Sequence, residues 1–394
     1  MKKHTKKNRS GNQKTTRKIS RKKTILLKNT TPAGDLELSE LVLNNFGKGV
    51  VNKIHSYSPT VNQQLVSLKT MGKTRLSNCN NERAFQLREP LQIGIPGDFF
   101  GKTCVPYTSH QAKQLLLRNL SANKHVNPYN VVPPMQVQSN CWFNSMFACF
   151  FISDKGRKFF HYFRQLMIEG KQKNGHKIPG KLADAFALLN FAVDSALMGT
   201  RYAYELDTNG IIQLIYAGIL ENYYITTPNP YFVDVDKPGN PIRYYQAMLE
   251  YLNNKSIQLL FVDQIQTDWL KRTTTLLTNI GHMPHIIVIE IDDEPSKKIK
   301  NRFLKFKVSG AKYALDSCVI RDKTKQHFCT LFMCEGNEVA YDGQSYHRMV
   351  PMEWKKNINS NINWKFEGSL NTDGKLLEWN FLKGYQMLVY YRIE

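Results

Sequence analysis

The chain has 394 residues, of which 42% are hydrophobic, and its 54 lysines and arginines against 32 acidic residues give a net charge of +22. This apolar content can build a sizeable core, which excludes a wholly disordered protein. There is no run of about 20 apolar residues and no apolar stretch behind the first charges, so we expect neither a membrane span nor a secretory signal. An intracellular protein, cytoplasmic or nuclear, is therefore expected, and seven scattered cysteines are typical of a reducing compartment.

Residues 1–31 are predicted to form a basic, disordered tail. The segment from Lys2 to Lys23 holds 11 lysines and arginines, no acidic residue and almost no apolar residue. Such a segment cannot bury enough surface to offset the entropy of ordering, and it is typical of arms that contact nucleic acid or acidic protein surfaces. A solvated tail without a partner is the alternative. Because no sequence-specific binding motif accompanies the arm, any contact with nucleic acid is expected to be non-specific.

Residues 32–130 form an N-terminal extension of unknown fold. Residues 36–43 and 111–120 have the apolar spacing of helices, and prolines between them indicate loops. A separate domain, an arm packed on the following domain and an inhibitory segment all remain open.

Cys141 follows a polar approach and precedes an apolar run with three- and four-residue spacing. This spacing predicts a helix from Cys141 to about Lys171, with the cysteine at its N-terminus. The partial positive charge of a helix start favours the thiolate, which is the nucleophilic form of cysteine. The alternative is a small buried hydrophobic residue, the commoner state of a free cysteine.

Further helices are predicted at 181–198, 209–220 and 242–253, followed mostly by strands. Helices that precede an antiparallel sheet describe an α+β fold.

A second polar group lies among the predicted strands. Residues 313–320 and 328–334 are β-rich, and residues 335–337 form a tight turn into a short strand that ends at Asp342. His327 therefore begins one strand and Asp342 ends its antiparallel partner, so the imidazole and the carboxylate should lie side by side. Together with the cysteine they predict a thiol hydrolase, whereas a hydrogen-bonded surface histidine is the alternative.

These residues resemble the ubiquitin-specific protease family, papain-like cysteine proteases that cleave ubiquitin from other proteins. The segment 140–145 is similar to the family's cysteine box, and its histidine box is matched by Tyr313, Leu315, His327, Phe328 and Asp342. Segments 284–291 and 384–392 are similar to the flanking strands. The resemblance covers residues 131–394 and implies a papain-like fold, with the cysteine on a helical lobe and the His/Asp pair on an antiparallel sheet lobe.

The resemblance also implies the activity, a deubiquitinating hydrolase that cuts after the C-terminal glycine of ubiquitin or a related modifier, without a cofactor. Cys141 is the implied nucleophile, His327 the general acid and base, and Asp342 the residue that orients the histidine. Substrates would be the conjugates of ubiquitin or of a ubiquitin-like modifier, and loop 321–326 is a candidate flap over the cleft.

The chain departs from the family in its oxyanion residues and its cysteines. Gln136 stands where the family usually has the asparagine that stabilises the oxyanion, and Gln138 and Asn140 are alternative donors. Gln138 and Ser139 replace the family's usual glycine and asparagine. No CxxC pair is present, so no zinc site is expected, and the cysteines at 318, 329 and 334 are expected to pack in strands.

Two functions other than hydrolysis remain open. The divergent box is compatible with an inactive protein that binds ubiquitin, and the basic arm with a structural protein associated with nucleic acid in a virion. A divergent hydrolase with such an arm and high lysine and asparagine content suggests a protein of a large DNA virus, acting in the host cell or carried in the particle.

Overall fold

The computed structural model of the chain describes residues 24–27, 79–95, 103–223, 229–252, 259–264, 269–280, 283–291 and 302–394. The strands are β1 (Thr24–Leu27), β2 (Gln92–Ile95), β3 (Thr103–Pro106), β4 (Leu259–Gln264), β5 (Ile286–Ile291), β6 (Lys305–Val308), β7 (Ala311–Arg321), β8 (Phe328–Cys334), β9 (Asn337–Tyr341), β10 (Met349–Pro351), β11 (Asn363–Phe366), β12 (Trp379–Asn380) and β13 (Gln386–Arg392). The helices are α1 (Glu82–Phe85), α2 (His110–Ala122), α3 (Cys141–Phe147), α4 (Asp154–Phe159), α5 (His161–Glu169), α6 (Gly180–Met198), α7 (Arg201–Tyr204), α8 (Asn209–Tyr223), α9 (Pro241–Tyr251), α10 (Trp269–Ile280) and α11 (Trp354–Asn357).

The fold is α+β, as predicted, with a helical region followed by an eight-stranded sheet. The strand order is β10-β9-β8-β7-β13-β5-β4, and β6 pairs with β7. All of these neighbours are antiparallel except β4 and β5, which run parallel. The predicted strands at 284–291, 313–320, 328–334 and 384–392 correspond to β5, β7, β8 and β13.

Both faces of the sheet are buried. Successive side chains of a strand point to opposite faces, so each central strand contributes to a core on either side. On β13, Met387, Val389 and Tyr391 pack with the helices α3–α9 in one core. Leu388 and Tyr390, between them, pack in a second core with residues of β6, α11 and β11. The central strands therefore connect the two cores and hold the ends of β8 and β9 in place.

The predicted helix from Cys141 to about Lys171 is wrong, because the segment is broken into shorter pieces. A π-helical turn, Ala148–Ile152, follows α3, and Ser153 then adopts an extended conformation. The Ser153 hydroxyl donates to the carbonyl of Cys149 at 2.7 Å and accepts from the backbone of Gly156 at 3.0 Å. A serine that bonds to nearby backbone competes with helical hydrogen bonds, so Ser153 ends one helix and caps α4.

The other predicted helices correspond to α2, α6, α8 and α9, whereas α10 lies where strands were expected. The predicted helix at 36–43 and the arm from Lys2 to Lys23 lie outside the described residues. Thr24–Leu27, within the range assigned to the disordered tail, instead forms a strand that pairs in parallel with β11. This short apolar segment follows the basic residues, and its backbone N–H and C=O groups can form hydrogen bonds with the free edge of β11.

The described part of the N-terminal extension packs on the helices that follow it. Leu91, Ile93 and Leu116 belong to the same core as Phe143 and Phe186. The extension's two cysteines, Cys79 before α1 and Cys104 on β3, form a disulfide, which differs from the reducing environment that the cysteine pattern indicated. Within the described ranges, no helix is both long and apolar enough to cross a membrane.

Candidate active site

Cys141 is the first residue of α3 and is the most accessible of the free cysteines. All seven cysteines are described, and the other four free thiols, at 149, 318, 329 and 334, are buried. Behind Cys141, the Trp142 and Phe143 rings are buried, and Trp142 meets the ring of Tyr244 on α9 with centroids 4.7 Å apart. The apolar face of α3 thus anchors the helix in the core and leaves the thiol at the surface of a cleft.

His327 and Asp342 lie side by side, as the strand pattern predicted. In the ladder between β8 and β9, Thr330 faces Tyr341 and Cys334 faces Asn337. The two strands therefore end together, and His327 Nε2 lies 2.5 Å from Asp342 Oδ1. Both side chains are almost completely buried, so this ion pair is shielded from water and held in one geometry.

The electrostatics of His327 favour its charged form. Burial by itself lowers the pKa of the imidazole, but the Asp342 carboxylate and, to a smaller extent, the neighbouring Cys141 raise it to about 10. Because Nε2 bonds to Asp342, Nδ1 is the ring nitrogen that remains for the thiol. At neutral pH the imidazole is therefore charged and bonded to a carboxylate, with Cys141 beside it.

A turn capped by Asp154 joins the two strands that carry His327 and Asp342. The carboxylate of Asp154 accepts from the backbone N–H groups of Glu335 and Gly336 at 2.7 and 2.8 Å, and from Arg157 at 2.8 Å. Asp154 is the first residue of α4 and is nearly buried. The helical region thus fixes the turn that sets the register of β8 and β9.

Three hydrogen bonds connect the segment before Cys141 to the end of β9. The Tyr341 hydroxyl donates to the carbonyl of Pro134 at 2.8 Å, and the backbone N–H of Gln136 donates to Gly343 at 2.9 Å. Arg348 donates to the carbonyl of Pro133 at 2.9 Å. A Cβ at Gly343 would lie 3.0 Å from the nitrogen of Gln136, so glycine permits this approach. These contacts bring the thiol and the His/Asp pair together.

The predicted oxyanion donors differ in their surroundings. Asn140 is buried; its amide nitrogen donates to the Thr208 hydroxyl at 3.1 Å, and its oxygen accepts from Val137 and Asn144. Asn140 therefore holds the loop before α3, and its buried side chain is not among the residues that line the cleft beside Cys141. Gln136 lines the cleft, but its amide nitrogen donates to the carbonyl of Gln138 at 2.8 Å.

Gln138 adopts a left-handed backbone conformation, with φ of 54°, and its side chain is exposed. A residue with a Cβ is strained there, at a cost of about 1–2 kcal/mol, whereas glycine, the usual residue of the resembling family, is not. Gln138→Gly is therefore expected to raise the free energy of unfolding by about 0.5–1 kcal/mol, less than the relieved strain because glycine also gains entropy in the unfolded chain. Urea denaturation measures this change, and a lower midpoint would contradict it.

A cleft of ≈ 830 Å³ lies beside Cys141. Trp142 and Gly239 both line it. The Gly239 backbone lies so close to the Trp142 indole that a Cβ on Gly239 would be 2.3 Å from the ring. Arg243 lines the cleft as part of an ion pair, with its Nε 2.9 Å from Glu290 Oε1. The charged residues that line the rest of the cleft are Arg321, Lys325 and Asp236.

Several residues of the site escaped sequence-based prediction, namely Tyr341, Arg348, Asp322 and Trp379, whose ring centroid lies 5.9 Å from that of His327. Asp322 had a detectable signal, since an aspartate in a polar connection often accepts from the backbone two residues on, as it does here from Thr324. In the described part of the chain, no group of three or more His, Cys, Asp or Glu side chains could hold a metal ion. The cysteines at 318, 329 and 334 lie in the two cores.

Comparison with known proteins leaves the family open. No protein-family model matches the chain, and no curated protein matches it. Among solved structures, the chain is similar to the crystal structure of an essential yeast splicing factor, with 11% identity, a TM-score of 0.40, and coverage of 77% of this chain and 84% of that chain. A likeness of this size does not assign a fold or a function.

Proposed function

We propose that this protein is a papain-like cysteine hydrolase of the ubiquitin-specific type, which cuts the bond after the C-terminal glycine of ubiquitin or a related modifier. The observation that carries the proposal is the buried pair of His327 and Asp342, 2.5 Å apart, with Cys141 close enough to affect the imidazole and accessible beside an open cleft. Three residue types distant in sequence meet in the order nucleophile, base and orienting acid. The resemblance to ubiquitin-specific proteases supports ubiquitin or a related modifier as the substrate class.

In the acylation step, the Cys141 thiolate attacks the carbonyl carbon of the terminal glycine and forms a C–S bond. The developing oxyanion accepts from the backbone N–H of Cys141, which has no intrahelical partner at the start of α3. Gln136 supplies the second donor after its amide leaves the carbonyl of Gln138. The His327 imidazolium then gives its proton to the leaving amine as the C–N bond breaks, and a thioester remains.

In the deacylation step, water attacks the thioester carbonyl. Neutral His327 takes the proton of that water, and the C–S bond breaks to release the glycine carboxylate. Asp342 holds the imidazole in one orientation and stabilises the imidazolium in both steps. The ion pair is shielded because both side chains are buried, which strengthens this interaction.

A second candidate function, a ubiquitin-binding protein without activity, is favoured by the state of the oxyanion donors. The Gln136 amide is bonded to Gln138, and the Asn140 amide is buried against Thr208. If Gln136 does not turn, the tetrahedral intermediate lacks one donor, which costs about 2.7–4 kcal/mol in comparable sites. Such a protein would still bind the tail of a modifier in the cleft.

The test is reaction of the full-length protein, and of Cys141→Ala, with ubiquitin, SUMO and NEDD8 that carry a C-terminal electrophile. We expect wild type to form a covalent adduct with ubiquitin, and peptide mapping to place it on Cys141, whereas Cys141→Ala should form none. Intact mass measures the adduct, and circular dichroism checks the fold of both proteins.

Each other result has a definite meaning. Adducts with SUMO or NEDD8 but not with ubiquitin would support the thiol hydrolase chemistry and replace ubiquitin with that modifier as the substrate. Binding of ubiquitin without an adduct, for a folded wild type, would support the inactive binder. If a folded wild type forms no adduct with any of the three modifiers and binds none of them, the proposal is wrong.

A further inference from the structure

The connection between β7 and β8, residues 322–327, is organised by one buried side chain. Asp322 is fully buried, and its Oδ1 accepts from the backbone N–H groups of Gln326 and His327, both at 2.7 Å. Its Oδ2 accepts from the Thr324 backbone at 2.6 Å and also from the Thr324 hydroxyl. The main chain of Asp322 pairs with this connection as well, since its N–H donates to the carbonyl of His327 at 2.8 Å.

These bonds account for the backbone N–H groups of four consecutive residues. The Lys325 N–H donates to the Asp322 carbonyl at 3.1 Å, and those of Thr324, Gln326 and His327 donate to its carboxylate. The β7–β8 ladder ends at the pair Arg321 and Phe328, so Asp322 and His327 occupy the next position. At that position a side-chain carboxylate replaces the backbone acceptor and fixes where His327 begins.

We propose that Asp322 is a positioning residue for His327. The expected effect of Asp322 on turnover rests on the proposed function. Charge-assisted hydrogen bonds to a carboxylate are shorter and stronger than neutral ones, so this carboxylate restricts the connection to one conformation. Asp322 contacts the backbone of His327, whereas the imidazole contacts Asp342. Asp322 therefore acts on the position of the His327 backbone, while Asp342 acts on the orientation and the charge of the imidazole.

Correct placement matters because the imidazole must meet both its acid and the thiol. A displacement of about 1 Å of a catalytic group can cost about 10²-fold in rate. Without the carboxylate, the N–H groups of Thr324, Gln326 and His327 lose their common acceptor, and residues 324–327 can move relative to β8. The cleft residues at 325 and 326 would move with them, since they belong to the same connection.

Residues 370–376 contain a similar turn that carries no catalytic group, and this provides a matched control. Asn371 Oδ1 accepts from the backbone N–H groups of Asp373 and Lys375 at 3.0 and 2.8 Å. The backbone N–H of Asn371 donates to the carbonyl of Lys375, as that of Asp322 donates to His327. Asn371→Ala therefore removes the same kind of turn cap at a residue that, within the described structure, has no hydrogen bond to Cys141, His327 or Asp342.

The experiment measures the rate of Cys141 alkylation by iodoacetamide at pH 7, which needs the thiol and His327 but no ubiquitin, together with kcat and KM on a ubiquitin C-terminal amide. For Asp322→Ala we expect both the alkylation rate and kcat to fall about 10²-fold, with KM within about twofold of wild type. Asp322→Asn, which has the same shape and retains one acceptor oxygen, should recover about a tenth of wild-type kcat. Asn371→Ala should alter neither rate.

The result that overturns the proposal is unchanged alkylation and kcat in a folded Asp322→Asn and Asp322→Ala, or an equal loss in Asn371→Ala. If both Asp322 variants fail to fold, Thr324→Val, which removes only one donor to the carboxylate, is measured instead, and an unchanged rate then overturns it. If ubiquitin is not a substrate at all, the proposed function fails, but a His327-dependent alkylation rate that falls in the Asp322 variants still supports the positioning role.

Discussion

His327→Ala is expected to lower the release of ubiquitin from a C-terminal amide by about 10⁶-fold, which is the loss measured when the base of a catalytic triad is removed. Without the imidazole, Cys141 loses the neighbouring cation that favours its thiolate, and the leaving amine loses the group that protonates it. The same variant should lose most of its reaction with an electrophilic ubiquitin probe. Steady-state hydrolysis and intact mass measure the two effects.

The matched control for this substitution is His176→Ala. His176 is exposed in the turn after α5, and its ring approaches only Asn174 among described residues, at 3.4 Å. Its removal is expected to leave turnover and stability unchanged. Turnover in His327→Ala within tenfold of wild type would exclude the histidine as general acid and base, while the adduct on Cys141 could still form.

Asp342→Asn is expected to lower kcat by about 10²-fold or more and to move the alkaline limit of activity to lower pH. Burial opposes the imidazolium, and the Asp342 carboxylate is the main group that raises the pKa of His327 to about 10. An uncharged amide cannot provide this support. Wild-type activity should therefore persist until the pH approaches 10, whereas activity of the variant should decline from a lower pH. The pH profile of kcat/KM measures the shift.

The same pair makes a contribution to stability with a definite sign. A histidine whose pKa is higher in the folded than in the unfolded state stabilises the fold fully below its ordinary pKa of 6.5, and this contribution is lost as the pH rises through about 10. The free energy of unfolding of wild type should therefore fall over this range more steeply than that of Asp342→Asn. Asp373→Asn, in an exposed turn, is the control, and equal slopes for all three proteins would refute the role of Asp342.

Local pattern accounts for the strands better than for the helices. β5, β7, β8 and β13 follow β-rich runs whose alternate side chains enter different cores, so their length and type were visible in the sequence. The break in the helix after Cys141 was not visible, because it depends on the Ser153 hydroxyl turning back to the Cys149 carbonyl. α10 contains a run of three threonines, whose β-branched side chains favour strands when considered alone.

The candidate site shows the same division. Sequence order and hairpin symmetry brought His327 and Asp342 together correctly, because two antiparallel strands joined by a tight turn end side by side. The roles of the amides could not be predicted, since glutamine and asparagine have the same donors wherever they lie. Only the packing of Thr208 against Asn140, and of the Gln138 carbonyl against Gln136, decides which amide is engaged.

The sequence by itself determined the α+β class, the candidate nucleophile and the histidine–aspartate hairpin, because periodicity and turn chemistry are local properties. The tertiary structure alone decided that the thiol meets that hairpin, through the bonds that join the segment before Cys141 to Tyr341 and Gly343. It also decided that the buried carboxylate of Asp322 collects the N–H groups before His327. Both depend on contacts between segments far apart in the chain or on the direction in which a side chain is buried, and neither is encoded in local spacing.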